Sequence, residues 1–292
     1  MANFETGLHE HLDSWPVANV AAFVVNFSSG RTVMVGDRTK KFHFASVTKI
    51  ASTAAFLVAL SEGLIGLDQQ LSGGLVVRDL MGHSSGLGSD VDPNVDIFDQ
   101  RPIVAPRTRR IYSSAGFEFL ARWLEVESGI RFDQYLKEAL LDPAEMVGSS
   151  LSGKNWPGAG STGAAAGMVG NVVDLHNLAV AIFHGSPHVD TFYLNEAKIP
   201  YLPHLPGVLP GFGLMDANTW GLGFEIRGNK HPHWTSGLNS ELTYGHFGAS
   251  GTFLWIDPVV KIGFGVLTDK SFGVWAQKAW PAASTYVLEN FS

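Results

Sequence analysis

Phe44-Ala45-Ser46-Val47-Thr48-Lys49 opens an apolar run that reaches Leu60, and it sets a serine three residues ahead of a lysine at a predicted helix start. Positions i and i+3 share a helix face, so the Ser46 hydroxyl and the Lys49 amine are expected within reach of each other. A serine hydroxyl attacks poorly until a base removes its proton, and a partly desolvated amine can do so. In a first helical turn Ser46 would also have a free backbone N–H and the positive end of the dipole beside it, which suits a developing oxyanion. Of the ten lysines, only Lys49 has a serine at this spacing. The same pattern also describes an ordinary serine cap, so it does not decide the chemistry alone.

The 292 residues suffice for one large domain or two lobes. With 45% apolar and 16% charged residues the composition is that of a globular protein. The net charge of −7, with no basic run longer than two residues, argues against nucleic acid or an anionic membrane as a partner. Cysteine is absent, which removes disulfides, thiolate nucleophiles and thiolate metal sites. Acidic residues stand where a signal peptide would have a basic region, so a cytoplasmic location is expected unless a leader has been trimmed. Ile50 to Leu60, the longest apolar stretch, is too short to span a bilayer. Oligomeric state is not readable.

Outward from the Ser46 helix, which Gly63 should end, the pattern changes in both directions. Glu5 to Leu12 reads as a short amphipathic helix. Val17 to Asn26 and Arg31 to Gly36 read as a β-hairpin around Ser28-Ser29-Gly30. From Gly63 to about Ala217 the pattern is mostly helical, clearest over Gly116–Ser128 and Phe132–Leu140, with loops at Gly153–Gly167 and Pro200–Gly213. Short β-rich segments return at Leu222–Arg227, Leu242–Phe247, Thr252–Ile256 and Ile262–Thr268, before a closing helix over Phe272–Asn290. The expected fold is α/β (α+β): an antiparallel sheet assembled from both chain ends and flanked by helices, with an inserted helical lobe. Residues 1–62 and 218–292 would form a discontinuous sandwich lobe, and 63–217 the insertion.

Two more segments carry chemistry. In Ile111-Tyr112-Ser113-Ser114-Ala115-Gly116 a tyrosine and a serine stand two apart just before a helix. Tyrosine titrates near ~10 and becomes a base only beside a cation that stabilises the phenolate; a half-buried aromatic followed by a cap at Ser114 is the plainer alternative. In Tyr244-Gly245-His246-Phe247-Gly248-Ala249-Ser250-Gly251 paired glycines beside a strand indicate either a bend or a close approach of another group.

Taken in order, Ser46-Val47-Thr48-Lys49, Tyr112-Ser113-Ser114 and His246-Phe247-Gly248 resemble the Ser-x-x-Lys, Tyr-x-Asn/Ser and Lys/His/Trp-x-Gly motifs of the serine β-lactamase and penicillin-recognising superfamily. The branch resembled contains class C β-lactamases, D-Ala-D-Ala carboxypeptidases, D-amino-acid-specific peptidases and β-lactamase-like esterases. Arg78–Leu87, Ala165–Val169 with Asp174-Leu175, Gly221–Phe224 and Trp255–Pro258 are similar to further segments of that branch, so the resemblance spans about residues 20 to 270. It implies a metal-independent, cofactor-free serine hydrolase in which Ser46 is acylated and Lys49 and Tyr112 share the proton relay. Ser114 would orient Lys49 and substrate, and the N–H groups of Ser46 and Ala249 would form the oxyanion hole. Gly248 would let the strand pass close to the substrate.

Departures bear on the substrate. His246 and Phe247 stand where β-lactamases carry lysine and threonine, which weakens the expected pull on a substrate carboxylate. This favours a small ester or amide, or a D-amino-acid peptide, over a β-lactam or D-Ala terminus; a β-lactamase or D-Ala-D-Ala carboxypeptidase is the rival enzyme, and a non-catalytic penicillin-pocket sensor the rival from another class. Trp220, Trp234, Phe247 and Phe253 offer either apolar cleft surface or core. Gly82-His83-Ser84-Ser85-Gly86 matches a nucleophile elbow, but without the strand before and helix after that an elbow needs, so Ser84 is read as structural. His9 with His11, and His231 with His233, read as surface pairs without a third metal ligand, and Asp90, Asp92, Asp96 and Asp99 as a solvated acidic loop.

Overall fold

The computed structural model describes residues 2–152 and 160–291, so part of the Gly153–Gly167 loop lies outside the described residues. Helix α1 (Ala2–Asp13) precedes the hairpin β1 (Val20–Asn26) and β2 (Thr32–Val35). Then come β3 (Phe42–His43), α2 (Thr48–Ser61), α3 (Val77–Met81), α4 (Ser114–Ser128) and α5 (Phe132–Leu136), the last continued by a π-type turn over Lys137–Leu141. Strand β4 (Val169–Gly170) leads into α6 (Val172–His184) and α7 (Thr191–Lys198). The chain closes with β5 (Gly207–Leu209), β6 (Gly213–Met215), β7 (Glu225–Ile226), β8 (Tyr244–Gly248), β9 (Thr252–Asp257), β10 (Ile262–Thr268) and α8 (Val274–Asn290).

Six strands form one antiparallel sheet in the order β2-β1-β10-β9-β8-β7, so both ends of the chain meet where β1 pairs along its whole length with β10. The sequence of β1, VAAFVVN, is apolar at every interior position because both faces of the sheet are covered. Side chains alternate between them. Ala22 and Val24 join Phe264, Val266, Trp255 and Trp280 in a core under α1 and α8, whereas Ala21, Phe23 and Val25 join the larger core built around α2. From Thr48 to Leu60 every residue of α2 is buried, so this helix lacks a polar face. Its polar side chains therefore need internal partners.

Several local expectations change. The Ser46 helix starts at Thr48; Ala45–Val47 is a 3-10 turn leading into it. Pro200–Gly213 is not all loop, since β5 pairs with β6 in a small hairpin. The segment Leu222–Arg227 keeps only two strand residues, because Gly223 takes a φ of 81° and its backbone packs against Thr53. The cap of α4 is Ser113 rather than Ser114: its hydroxyl accepts from the Gly116 N–H at 3.0 Å and donates to the Gly88 carbonyl at 2.6 Å. Strands β3 and β4 form an unforeseen two-stranded pair that ties the residues before Ser46 to the 162–170 segment.

Candidate active site

Ser46 stands in the turn between β3 and α2, half-buried, directly after Ala45, whose φ of 45° is left-handed although it carries a side chain. The turn is held in place from the sheet. Phe44 donates its N–H to the Met168 carbonyl, and its own carbonyl accepts from the Thr252 hydroxyl at 2.9 Å. A Cβ on Gly248 would come within 2.5 Å of that same Phe44 carbonyl. Gly248 is thus needed for the packing of β8 against the turn, a different reason from the passage of substrate that the resemblance implied.

Lys49 is fully buried in the first turn of α2. Its Nζ donates to the Ala165 carbonyl at 2.9 Å and to the Ser114 Oγ at 3.2 Å, and lies 4.7 Å from the centre of the Tyr112 ring. No hydrogen bond joins it to Ser46 in this structure, because the 3-10 turn changes the expected helical register. Burial drives the amine down to about 7, against the attraction of Glu118, which favours the charged form. A neutral amine has two N–H bonds and one lone pair. With the two N–H bonds committed to Ala165 and Ser114, the lone pair is left to accept a proton.

Glu118 is a positioning residue that the sequence reading missed. One helical turn after Ser114, its buried carboxylate accepts from the Thr162 N–H at 2.9 Å, the Thr162 hydroxyl at 2.8 Å and the Ala165 N–H at 3.0 Å. Burial pushes its carboxyl up, and these bonds partly offset the shift. From α2, Ser52 donates to Ala164 and Thr48 accepts from Met168, so polar side chains of α2 and α4 fix the segment that presents the Ala165 carbonyl to Lys49. The available signal was a lone glutamate within the apolar run Phe117–Leu124, four residues after Ser114.

Tyr112 leads into α4 and is anchored from Arg110, whose buried guanidinium donates to the carbonyls of Gly82, Tyr201, Leu202 and Asn218. Burial raises the Tyr112 phenol, and the nearby Ser46 hydroxyl counteracts this only in part, so the ring is a neutral phenol rather than a phenolate. Its hydroxyl oxygen is buried, with no partner at hydrogen-bonding geometry among the described residues.

Ser46, Tyr112, Trp220, Glu225, His246 and Phe247 line one cleft, together with Ala249 and the 209–211 turn, around about 580 Å³ of open space. The Ala249 N–H has no acceptor among the described residues, and Ser46 occupies a first helical turn, where amides lack intrahelical acceptors. His246 is buried and neutral: desolvation and the neighbouring Lys49 push it down to about 3. Phe247 is half-buried among Phe212, Trp234, Phe272 and Trp280. Of the four aromatics singled out in the sequence, Trp220 and Phe247 line the cleft, while Trp234 and Phe253 belong to the core. No lysine or arginine lines this cleft among the described residues. A largely apolar groove, lined also by Arg109 and Arg110, shares Tyr112 and Pro210 with it and displays Ile103, Val208 and Leu214, each more than half exposed.

Other sequence candidates fall elsewhere. Ser84 is buried just after α3 and donates to Asp79 at 2.7 Å. His233 is not on the surface: it is buried against Glu225, which also pairs with Lys230 and accepts from the Trp234 indole at 3.0 Å. Burial pushes Glu225 up, but the charge of Lys230 and the His233 contacts outweigh it and leave the carboxyl at about 2. No helix among the described residues is long and apolar enough to cross a membrane.

A family model described as Beta-lactamase matches residues 22–286. The chain belongs to the beta-lactamase family. A Mycobacterium bovis protein described as a beta-lactamase shares 40% identity and superposes with a TM-score of 0.87, over 97% of this chain and 98% of that one. Two more distant structures share the fold: EstCE1, described as a hydrolase with promiscuous acyltransferase activity (15% identity, TM-score 0.76, 98% of each chain), and a mutant of simvastatin synthase from Aspergillus terreus (14% identity, TM-score 0.75, 98% of this chain and 97% of that one). No functionally curated protein matches. The family holds esterases, acyltransferases and beta-lactamases on one fold, so the substrate has to be argued from the site.

Proposed function

We propose that this protein is a serine hydrolase that acts on small neutral esters or amides, D-amino-acid amides included, through an acyl-enzyme at Ser46. The observation that supports this most directly is Lys49, a buried amine with its two N–H bonds occupied and its proton affinity lowered to near neutrality. Neutral Lys49 takes the Ser46 proton as Oγ bonds to the substrate carbonyl carbon. The N–H groups of Ser46 and Ala249 receive the oxyanion. As the intermediate collapses, the bond to the leaving oxygen or nitrogen breaks and that atom takes a proton from the Lys49–Tyr112 pair. The neutral phenol of Tyr112 suits it to pass protons on. Water then attacks the ester carbonyl by the same route and releases the acid.

Two features favour uncharged substrates. The cleft has no cationic lining residue among the described residues, and Glu225 and the neutral His246 are poor partners for a carboxylate. The apolar groove beyond Tyr112 suits an aliphatic acyl or alkyl part. Transfer of the acyl group to an alcohol is open to the same intermediate, and the description of EstCE1 supports testing it. The description of the Mycobacterium bovis relative supports a second reading, hydrolysis of a β-lactam.

Labelling with a fluorophosphonate, followed by peptide mass spectrometry, tests the nucleophile. The adduct is expected on the peptide holding Ser46, and its absence would favour a binding module. Turnover of p-nitrophenyl esters is then compared with that of a chromogenic cephalosporin and D-amino-acid p-nitroanilides. Loss of a charge-assisted bond to a carboxylate, roughly 1.5–3 kcal/mol, predicts esters ahead by about one to two powers of ten in kcat/KM. Rapid cephalosporin turnover without ester activity would establish the second reading instead.

A further inference from the structure

We infer that His246 selects substrates carrying a neutral hydrogen-bond donor, a hydroxyl or an amide N–H, close to the reacting carbonyl. This deepens the proposed function and rests on it for the chemistry at Ser46. The His246 Nδ1 lies 2.6 Å from the Phe247 carbonyl oxygen. A carbonyl can only accept, so Nδ1 carries the hydrogen and the neutral ring presents a bare lone pair at Nε2. That Nε2 is buried and has no hydrogen-bond partner among the described residues. The ring is 3% exposed, lines the cleft, and is packed against Tyr112 and Trp220, each with its ring centre 5.5 Å away. With Nδ1 tied and both flanks packed, the lone pair cannot turn to another acceptor-seeking group.

A buried acceptor left without a donor is costly, and a ligand that supplies the donor removes that cost. The Glu225 oxygens in the same lining already receive Lys230, His233 and Trp234 and give the donor no alternative, while the Ser46 and Tyr112 hydroxyls there are committed to the proposed chemistry. A carboxylate placed here would set lone pair against lone pair with no cation in the cleft lining to compensate. A hydroxyl or amide N–H would complete the wall.

The donor can sit on the acyl part or on the leaving alcohol, and two matched series separate these. One compares p-nitrophenyl butyrate with p-nitrophenyl 3-hydroxybutyrate and p-nitrophenyl hydrogen succinate. The other compares ethyl butyrate with 2-hydroxyethyl butyrate by pH-stat. We expect the hydroxyl to raise kcat/KM about tenfold in one series, and the succinate to be the poorest substrate of its set. His246→Gln, which keeps an acceptor, should retain most of that ratio, and His246→Phe should bring it close to one. The ratio within each variant cancels losses from poor folding. In Ser46→Ala, where the chemistry is removed, ligand-observed NMR on the same pairs should show the same order. That binding order tests His246 even if wild-type protein turns over no ester, a result that would defeat the acyl-enzyme reading alone. No hydroxyl preference in either series, or a preference that survives His246→Phe, overturns the proposal.

Discussion

Two buried lysines of this chain do opposite things. Lys49, on α2, touches only uncharged acceptors, the Ala165 carbonyl and the Ser114 hydroxyl. Lys230, after β7, pairs directly with the buried carboxylate of Glu225 and donates to the Thr219 carbonyl at 2.8 Å. Both amines are desolvated, which disfavours their charged forms. What differs is the partner. Without a carboxylate in contact, Lys49 falls to about 7 and can exchange a proton; burial lowers Lys230 as well, but Glu225 in contact opposes that and keeps it as an ion-pair clamp that holds the 227–236 segment against β7. Burial alone therefore does not make a lysine a base. The charge at hydrogen-bonding distance decides.

The largest effects should separate the two positions by kind. Lys49→Met removes the proposed base and should lower kcat/KM by about 10²–10⁴, with little loss of stability, since it replaces an amine that carries no contacting counter-charge. Lys230→Met leaves Glu225 buried and unpaired and should cost about 3–5 kcal/mol in urea unfolding. Whatever Lys230→Met protein remains folded should keep most of its activity. If Lys230→Met abolished turnover at unchanged stability, the assignment of roles would have to be reversed.

A second contrast lies in pH dependence. Lys49 moves from near 10.4 in the unfolded chain to about 7 in the fold. Between those values the unfolded chain binds more protons, so this contribution to stability grows with pH. It is fully present above the unfolded value and is lost as pH falls through about 7. The stability of wild type relative to Lys49→Met should rise between pH 7 and 10 by up to about 1.4 kcal/mol per unit. A flat difference would show that Lys49 keeps its proton. In activity, kcat/KM should climb with pH to a plateau above about 7. Glu118 favours the charged amine, so Glu118→Gln should move that limb toward acid, with a rate loss of about tenfold or less as the 162–165 segment loosens. A limb that stayed in place would remove Glu118 from the electrostatics of the site.

What the sequence disclosed divides along the same line. The sheet drawn from both chain ends was legible because β1 and β10 are uninterrupted apolar runs, and the helix after Ser46 because its burial is unbroken. Ser46, Lys49 and Tyr112 could be picked out since each pattern is short and local. The partners that tune Lys49 come from 65 and 116 residues away, through Ser114 and the Ala165 carbonyl. A carbonyl contributes nothing to a side-chain pattern. Glu118 belongs to none of the three motifs and so drew no reading, and His233, two residues from an exposed His231, looked like part of a surface pair. Only the tertiary fold shows that Glu225 and Lys230 enclose it. The hairpin of β5 and β6 escaped notice because four prolines between Pro200 and Pro210 mask strands of three residues.

The smallest expected effect concerns the turn that carries the nucleophile, on the Lys49 side of the comparison. Ala45 holds a left-handed φ of 45° directly before Ser46. That conformation costs a residue with a side chain about 1–2 kcal/mol, and glycine adopts it freely while losing roughly 0.5–1 kcal/mol more chain entropy on folding. The two contributions nearly cancel, so Ala45→Gly should leave stability within about 0.5 kcal/mol of wild type. Ala51→Gly, inside the buried α2, has no strain to relieve and should cost about 1 kcal/mol or more. Activity should follow the opposite order. If the strained turn fixes the Ser46 hydroxyl and N–H for attack, Ala45→Gly should lower kcat a few-fold with KM little changed, whereas Ala51→Gly should leave kcat nearly intact in folded protein. Equal kcat in wild type and Ala45→Gly would mean that the left-handed residue serves only to bring the chain from β3 into α2.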